Sequence, residues 1–216
     1  MRLRQHGDSG QAFPIYITVV AGLLFLAFAY LAVGQAAATK NGAQTAADSA
    51  ALAAAQDQRD QLAGVWLKNI LDPSLWESIL DGTTTGLNPS CWRAQQFAAR
   101  NGAHLDNGYC DKGWWPLSYT VKVKTDKPVG ESIVPGTEHK YATATARAVI
   151  EPRCSFNPLP DNGNGKGKGN GGGNGKGKDK TPLPELICKG KHWNLDPDHL
   201  VNLPGPEDLF DVHLAD

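Results

Sequence analysis

The chain has 216 residues, enough for one ordinary domain or two small ones. Its formal net charge is -1, and its basic residues are not interleaved with aromatic side chains as they are in a strand-binding groove, so we expect no nucleic-acid partner. The four cysteines, Cys91, Cys110, Cys154 and Cys188, all follow a hydrophobic segment, and an even count in that position indicates disulfides and an oxidising compartment.

An uncharged apolar segment, residues 12–34, follows a short polar stub, residues 1–11. Its length matches the roughly 20 apolar residues that a helix needs to cross a bilayer. Arg2 and Arg4 precede the segment and only Lys40 closely follows it, so the positive-inside rule places the N-terminus in the cytoplasm. The sequence therefore predicts a single-pass anchor in the membrane lipid bilayer of the cell, with an extracellular C-terminal domain.

A cleaved secretory signal is the alternative interpretation of this segment. Ala36-Ala37-Ala38 resembles a signal-peptidase site. The apolar run is longer than the roughly 7 to 15 residues of a signal core, which favours a retained anchor.

Residues 35–71 contain no proline and are rich in alanine, so we expect the membrane helix to continue outside as an exported alanine-rich helix. Small residues recur every four positions and share one helix-packing face: Gly34, Ala38, Gly42, Ala46, Ala50 and Ala54. Such a face lets another backbone approach closely. Packing between subunits and packing within the chain's own domain both fit it, because periodicity does not identify the partner.

Two stretches of this N-terminal region are distinctive: Gly10-Gln11-Ala12 at the start of the membrane helix, and the block NGAQTAADSAALAAA from Asn41 to Ala55. With them, residues 7 to 56 resemble the N-terminal region of TadE/TadG-like tight-adherence (Flp-type) pilus-assembly proteins, whose signature N-A-A-D-A-A-A-L-A is similar to that block. The resemblance implies an envelope protein that helps to assemble or stabilise an adhesive pilus. It implies pilus or secretion-machine proteins as partners and no catalytic residue.

One position departs from the processed, pilin-like members of that family. Those members carry Glu five residues after the cleaved Gly, whereas Ile15 holds that place if Gly10 is the cleavage residue. The resemblance is therefore closer to the TadG-like members, which keep their N-terminal helix uncleaved.

A small exported α+β domain is predicted over residues 72–160. Asp72-Pro73 should begin a first short helix, because an Asp cap followed by proline is typical of helix N-termini. Asn88-Pro89 should begin a second helix of about three turns that ends at Asn101-Gly102.

Beyond Trp115-Pro116 the hydrophobic period changes to two, which is typical of strands with one wet face. We expect one strand around residues 119–123, an antiparallel partner from Tyr141 to Ile150, and a third strand from Leu209 to Leu214. The predicted fold class is α+β: a long N-terminal transmembrane helix that continues into the alanine-rich helix, packed on a small antiparallel sheet with two short helices and a disordered Gly/Lys insertion.

That insertion, residues 161–180, has no apolar side chain that could repay the entropy of ordering, so we expect a flexible coil. Its local positive charge would allow contact with anionic cell-wall polymers or lipid head groups, although solubility alone also explains such a tract. Residues 181–216 are expected to return to the exported domain as a C-terminal tail.

The four cysteines can pair in three ways, and we expect Cys91 with Cys110 and Cys154 with Cys188. A turn over residues 105–108 would bring Cys110 back to the start of the second short helix. The other bond would hold together the two ends of the Gly/Lys insertion, which makes the tail part of the same domain.

Catalytic and metal-binding patterns are missing from the sequence. There is no HExxH, CxxC, G-x-S-x-G or phosphate-binding glycine motif, so we expect no enzyme activity, no cofactor and no metal. The cluster of histidines and aspartates in residues 191–200 is interpreted as turn capping, because it lacks the glycine and glutamate of a calcium loop. The six tryptophans are interpreted mainly as core or interface residues.

Two functions remain after these exclusions. The first is a structural or assembly component of a tight-adherence-type pilus system that acts by helix packing and protein-protein contacts. The alternative is a membrane-tethered surface module that binds cell-wall or other anionic polymers.

Overall fold

The computed structural model describes residues 12–130, 138–157 and 183–215. The N-terminal stub, residues 1–11, and the Gly/Lys insertion, residues 161–180, lie outside these described residues. The predictions of a flexible coil and of polymer contact at the insertion are therefore still predictions.

The first element is a single helix, α1, which runs over Ala12–Lys68, 57 residues. At 1.5 Å per residue it is about 85 Å long. Pro14 lies in its first turn, where the missing N–H costs no hydrogen bond, and no proline follows within the helix. It ends three residues before the predicted end at residue 71. There the Asn69 side-chain amide donates to the Val65 carbonyl at 2.8 Å.

Two short helices follow, as the turn signals predict. Asp72 caps a 3-10 turn, Pro73–Leu75, which leads directly into α2, Trp76–Leu80. The second helix, α3, spans Cys91–Arg100 and ends at Asn101.

Polar contacts fix α3 antiparallel to the outer half of α1. At one end the Asn101 Nδ2 donates to the Ser49 Oγ at 2.9 Å, and at the other the Asn88 N–H donates to the Gln61 Oε1 at 2.8 Å. The chain therefore turns back toward the N-terminal end of α1 before the sheet begins.

The main sheet has four antiparallel strands, in the order β1 (Ala103–Trp114), β2 (Leu117–Thr125), β3 (Thr143–Pro152) and β7 (Phe210–Leu214). A second antiparallel sheet has three short strands, in the order β4 (Cys154–Phe156), β5 (Leu186–Cys188) and β6 (Lys191–Trp193). The last helix is α4, Pro206–Leu209. The tail does return to the sheet, because β7 pairs with β3 and Asp211 pairs with Arg153.

The turn predicted over residues 105–108 is wrong, because these residues lie within β1. Leu105 pairs with Val123 and Cys110 pairs with Val121, so the residues between them form a bulge. Asn107 and Gly108 have positive φ angles of 51° and 72°, which produce the bulge without reversing the chain. An Asn-Gly pair favours positive φ, but not every such pair forms a hairpin turn.

The core lies between α1, α3 and the inward face of the main sheet. Alternate residues of β2 are buried, including Tyr119, Val121 and Val123. Opposite them, the alanines of α1 from Ala43 onward have little or no exposed surface. The predicted α+β class is confirmed: one long helix and short helices pack on antiparallel sheets.

Candidate functional site

The first candidate surface is the apolar first third of α1. Most of its large side chains from Phe13 to Val33 are exposed, and none of its most apolar 18-residue stretch is buried. The span from Phe13 to Val33 is about 30 Å long, the thickness of the hydrocarbon core of a bilayer. This part of α1 is therefore a candidate membrane span by length and composition.

The predicted helix-packing face divides into two surfaces. Gly34, Ala38 and Gly42, which we call the open face, are exposed, and an added Cβ on Gly34 or Gly42 would meet no atom within 4 Å. Ala46, Ala50 and Ala54, which we call the closed face, have no exposed surface and belong to the domain core. Packing within the chain thus uses only the outer half of the predicted face.

The closed face continues along α1 at the same spacing of four residues. Gln58, Leu62 and Trp66 come next and are also fully buried. Small side chains permit a close approach of helix and sheet at one end, and larger ones fill the interface at the other.

Gln58 is a buried polar residue that was not expected from the sequence. The Tyr119 hydroxyl of β2 donates to its Oε1 at 2.7 Å, while its Nε2 has no hydrogen-bond partner within the described part of the chain. Burial raises the pKa of Tyr119. A polar residue that continues a stripe of alanines is the signal that could have identified this link between α1 and β2.

Two disulfides fix the elements around this core. Cys91 at the start of α3 is bonded to Cys110 in β1, and Cys154 of β4 is bonded to Cys188 of β5, directly opposite in the second sheet. These are the two pairs expected from the sequence. The second bond spans the Gly/Lys insertion and holds the two strands that flank it.

No cluster of three metal-binding side chains occurs within residues 12–130, 138–157 and 183–215. Several histidines instead form single contacts with one carboxylate each, such as the 2.7 Å contact between the His104 Nδ1 and Asp126. In the C-terminal tail the Asp196 side chain accepts from the Asp198 N–H at 2.9 Å, which is a turn-capping contact.

Five of the six tryptophans fall into two groups. Trp66 and Trp76 are fully buried, with ring centroids 5.5 Å apart, as core residues should be. Trp92, Trp114 and Trp115 are more than half exposed, so the core interpretation does not hold for them.

Comparison with known proteins gives a family match at the N-terminal region. Residues 10–57 match the model of the Tad family, described as Flp pilus-assembly TadE/G-like, which is less than a quarter of the chain. No curated protein and no solved structure matches the chain. The matched residues contain the candidate membrane span, the open face and the closed face. The resemblance seen in the sequence is confirmed: the N-terminal region of this chain, residues 10–57, is similar to the TadE/G-like Flp pilus-assembly family.

Proposed function

We propose that this chain is a membrane-anchored structural or assembly component of a tight-adherence (Flp) pilus system in the bacterial envelope. One observation carries the proposal: the family match over residues 10–57 coincides with the part of α1 that is either unpartnered or packed through alanines. A simple anchor requires only an apolar span. The alanine-rich extension beyond it indicates a role in helix packing.

In this proposal residues 12–34 cross the membrane, with the stub 1–11 in the cytoplasm. Residues 35–71 lead away from the bilayer to an extracellular domain over residues 72–160, to which the tail, residues 181–216, returns. The closed face holds α1 to that domain. The open face, at the membrane boundary, remains accessible to a helix of a pilus or secretion-machine protein.

The proposed role is structural and non-enzymatic. It rests on the pilus-assembly family and on contacts between helices, with no reacting group required. The work of such a protein is to hold other components in position while its own fold stays fixed.

Site-specific photo-crosslinking in the native bacterium tests this function. A benzophenone amino acid replaces Ala38 on the open face, and a control places it at Asp60, an exposed position on the outer half of α1. We expect Ala38 to crosslink to pilus or secretion-machine proteins, identified by mass spectrometry, with a lower yield from Asp60. If neither position crosslinks to such proteins and deletion of the gene leaves piliation intact, the proposed function is wrong.

A further inference from the structure

A groove at the membrane-distal end of the exported domain lies between α2, the β1–β2 hairpin and the end of β3. Its first cavity, of about 300 Å³, is lined by residues that include Leu80, Asp81, Trp114, Trp115, Glu151 and Pro152. The hairpin connects β1 to β2 through Trp115 and Pro116.

A second cavity of about 330 Å³ extends this groove. It shares Leu80, Asp81 and Pro152 with the first and adds Glu77 and Phe156. Together they form one open trough along α2, which we call the hairpin groove. An extended chain can contact both cavities at once, because they share these lining residues.

The aromatic rings of the hairpin groove are unusually exposed. Trp115 is 77% exposed and Trp114 is 55% exposed, whereas Trp66 and Trp76 in the core have no exposed surface. Exposed tryptophans beside an apolar wall are enriched where proteins bind partners. The Lys112 Nζ lies 4.4 Å from the ring centroid of Trp114, so one ring already carries a cation. No cation lies over Trp115 within the described residues.

The rim of the hairpin groove is acidic. Glu77, Asp81 and Glu151 are all exposed, and none of their carboxylates has an ion-pair partner among the residues that the structure describes. Several other carboxylates of the domain are paired, as in the 2.7 Å contact of Asp106 with the Lys122 Nζ. A cationic occupant would complement these three carboxylates and the vacant face of Trp115 together.

We propose that the hairpin groove binds an extended, arginine- or lysine-containing segment of another envelope protein. An arginine side chain stacks on an indole face and donates two parallel hydrogen bonds to a carboxylate, which are the two kinds of group found here. A neutral glycan would also stack on the rings but would leave the negative charge of the rim uncompensated. An anionic polymer would be repelled by it.

This proposal deepens the proposed function, because it names the chemistry of a partner for the exported domain. The proposed function and the proposed peptide binding can fail separately. The crosslink from Ala38 tests the membrane-proximal helix, whereas the groove is about 50 Å farther along α1.

The test is a titration of the full-length chain in detergent micelles against fluorescein-labelled hexa-arginine, followed by fluorescence anisotropy. We expect saturable binding that weakens about 3- to 10-fold in Trp115→Ala, as loss of a cation–π contact and its apolar area requires. Glu151→Gln and Asp81→Asn should each weaken binding about 2- to 5-fold, and added salt should weaken it further.

Matched controls lie outside the groove. Trp92→Ala removes another exposed tryptophan, and Asp60→Asn removes another exposed carboxylate, so both should bind hexa-arginine like the unmodified protein. Equal affinity of the groove variants and the unmodified protein would overturn the proposal. Binding of N-acetylchitohexaose that Trp115→Ala abolishes, without binding of hexa-arginine, would also overturn it and assign the groove to glycans.

Discussion

At the scale of single residues, the alanines of α1 have two different environments at the same sequence spacing. Ala50 lies on the closed face and is fully buried against the sheet and α3, whereas Ala38 lies on the open face and is exposed. The side chains are identical, so the difference in environment can be tested by adding the same bulk at each position.

Ala50→Leu should lower the free energy of unfolding of the exported domain by about 1–3 kcal/mol, because a well-packed core does not accept three more carbon atoms without moving the sheet. Ala38→Leu should leave this free energy unchanged. Chemical unfolding of both variants in micelles, followed by tryptophan fluorescence, makes the comparison. A similar loss in both variants would contradict the division into open and closed faces.

The buried hydroxyl of Tyr119 should make the free energy of unfolding depend on pH in the alkaline range. Its pKa is raised by burial, so the unfolded chain loses this proton near the ordinary value of about 10 while the folded chain still holds it. The stability that the protonated Tyr119 hydroxyl contributes is complete below the unfolded-state pKa. It is lost as the pH rises through the folded-state pKa. Tyr119→Phe cannot ionise at this position.

We therefore expect the free energy of unfolding of Tyr119→Phe to fall less steeply than that of the unmodified protein between about pH 9 and pH 11. Urea unfolding at a series of pH values measures both slopes. Tyr119→Phe starts from a lower stability, because it also leaves the Gln58 Oε1 without its donor. Only the slopes are compared, and parallel curves would show that ionisation of Tyr119 has no part in alkaline unfolding.

At the scale of elements, long periodic segments were predictable from the sequence and short or irregular ones were not. The alanine-rich run predicted α1, and alternation predicted β2, β3 and β7. β1 was missed because it contains Asp, Asn and Gly and lies at the edge of the sheet, where one face has few apolar residues. The strands β4 to β6 have three residues each, too few for a period to be detected.

The candidate site was predictable to a similar extent. The small residues identified a packing face, but only the fold shows that the domain covers Ala46 to Ala54 and leaves Gly34 to Gly42 open. The hairpin groove was not predictable, because Leu80 and Pro152, which line both of its cavities, are far apart in the sequence and come together only in the fold.

The bond between Cys154 and Cys188 makes the second sheet depend on a covalent link. Its three-residue strands make few hydrogen bonds, and the disulfide closes the loop between β4 and β5. Loss of the bond should cost on the order of 3 to 4 kcal/mol by loop entropy. In Cys188→Ser we expect hydrogen exchange at β5 and β6 to accelerate strongly.

Exchange in β2, at the centre of the main sheet, should change much less in that variant. Cys154→Ser is the matched control, because it removes the same bond and should give the same pattern. Uniform acceleration across both sheets would show that they unfold as one unit.

At the scale of the whole molecule, the proposed orientation makes a prediction about accessibility. Asp60→Cys should react with a membrane-impermeant maleimide in intact spheroplasts, whereas Gln5→Cys should react only after lysis. All four native cysteines are in disulfides, so the background labelling is low. The opposite pattern would reverse the topology, and loss of the label at residue 5 from the mature protein would show that the N-terminus is removed.

The unbroken length of α1 gives the molecule a mechanical property. Between Gly34 and Trp66 the helix extends about 48 Å, and the closed face clamps much of this length to the sheet. In the proposed orientation, α1 and the domain move together as one lever whose pivot lies at the bilayer surface. A tilt of about 10° in the membrane displaces the far end by about 8 Å, which is more than the width of an extended peptide. A force applied to the hairpin end would equally exert a torque on the helix within the bilayer.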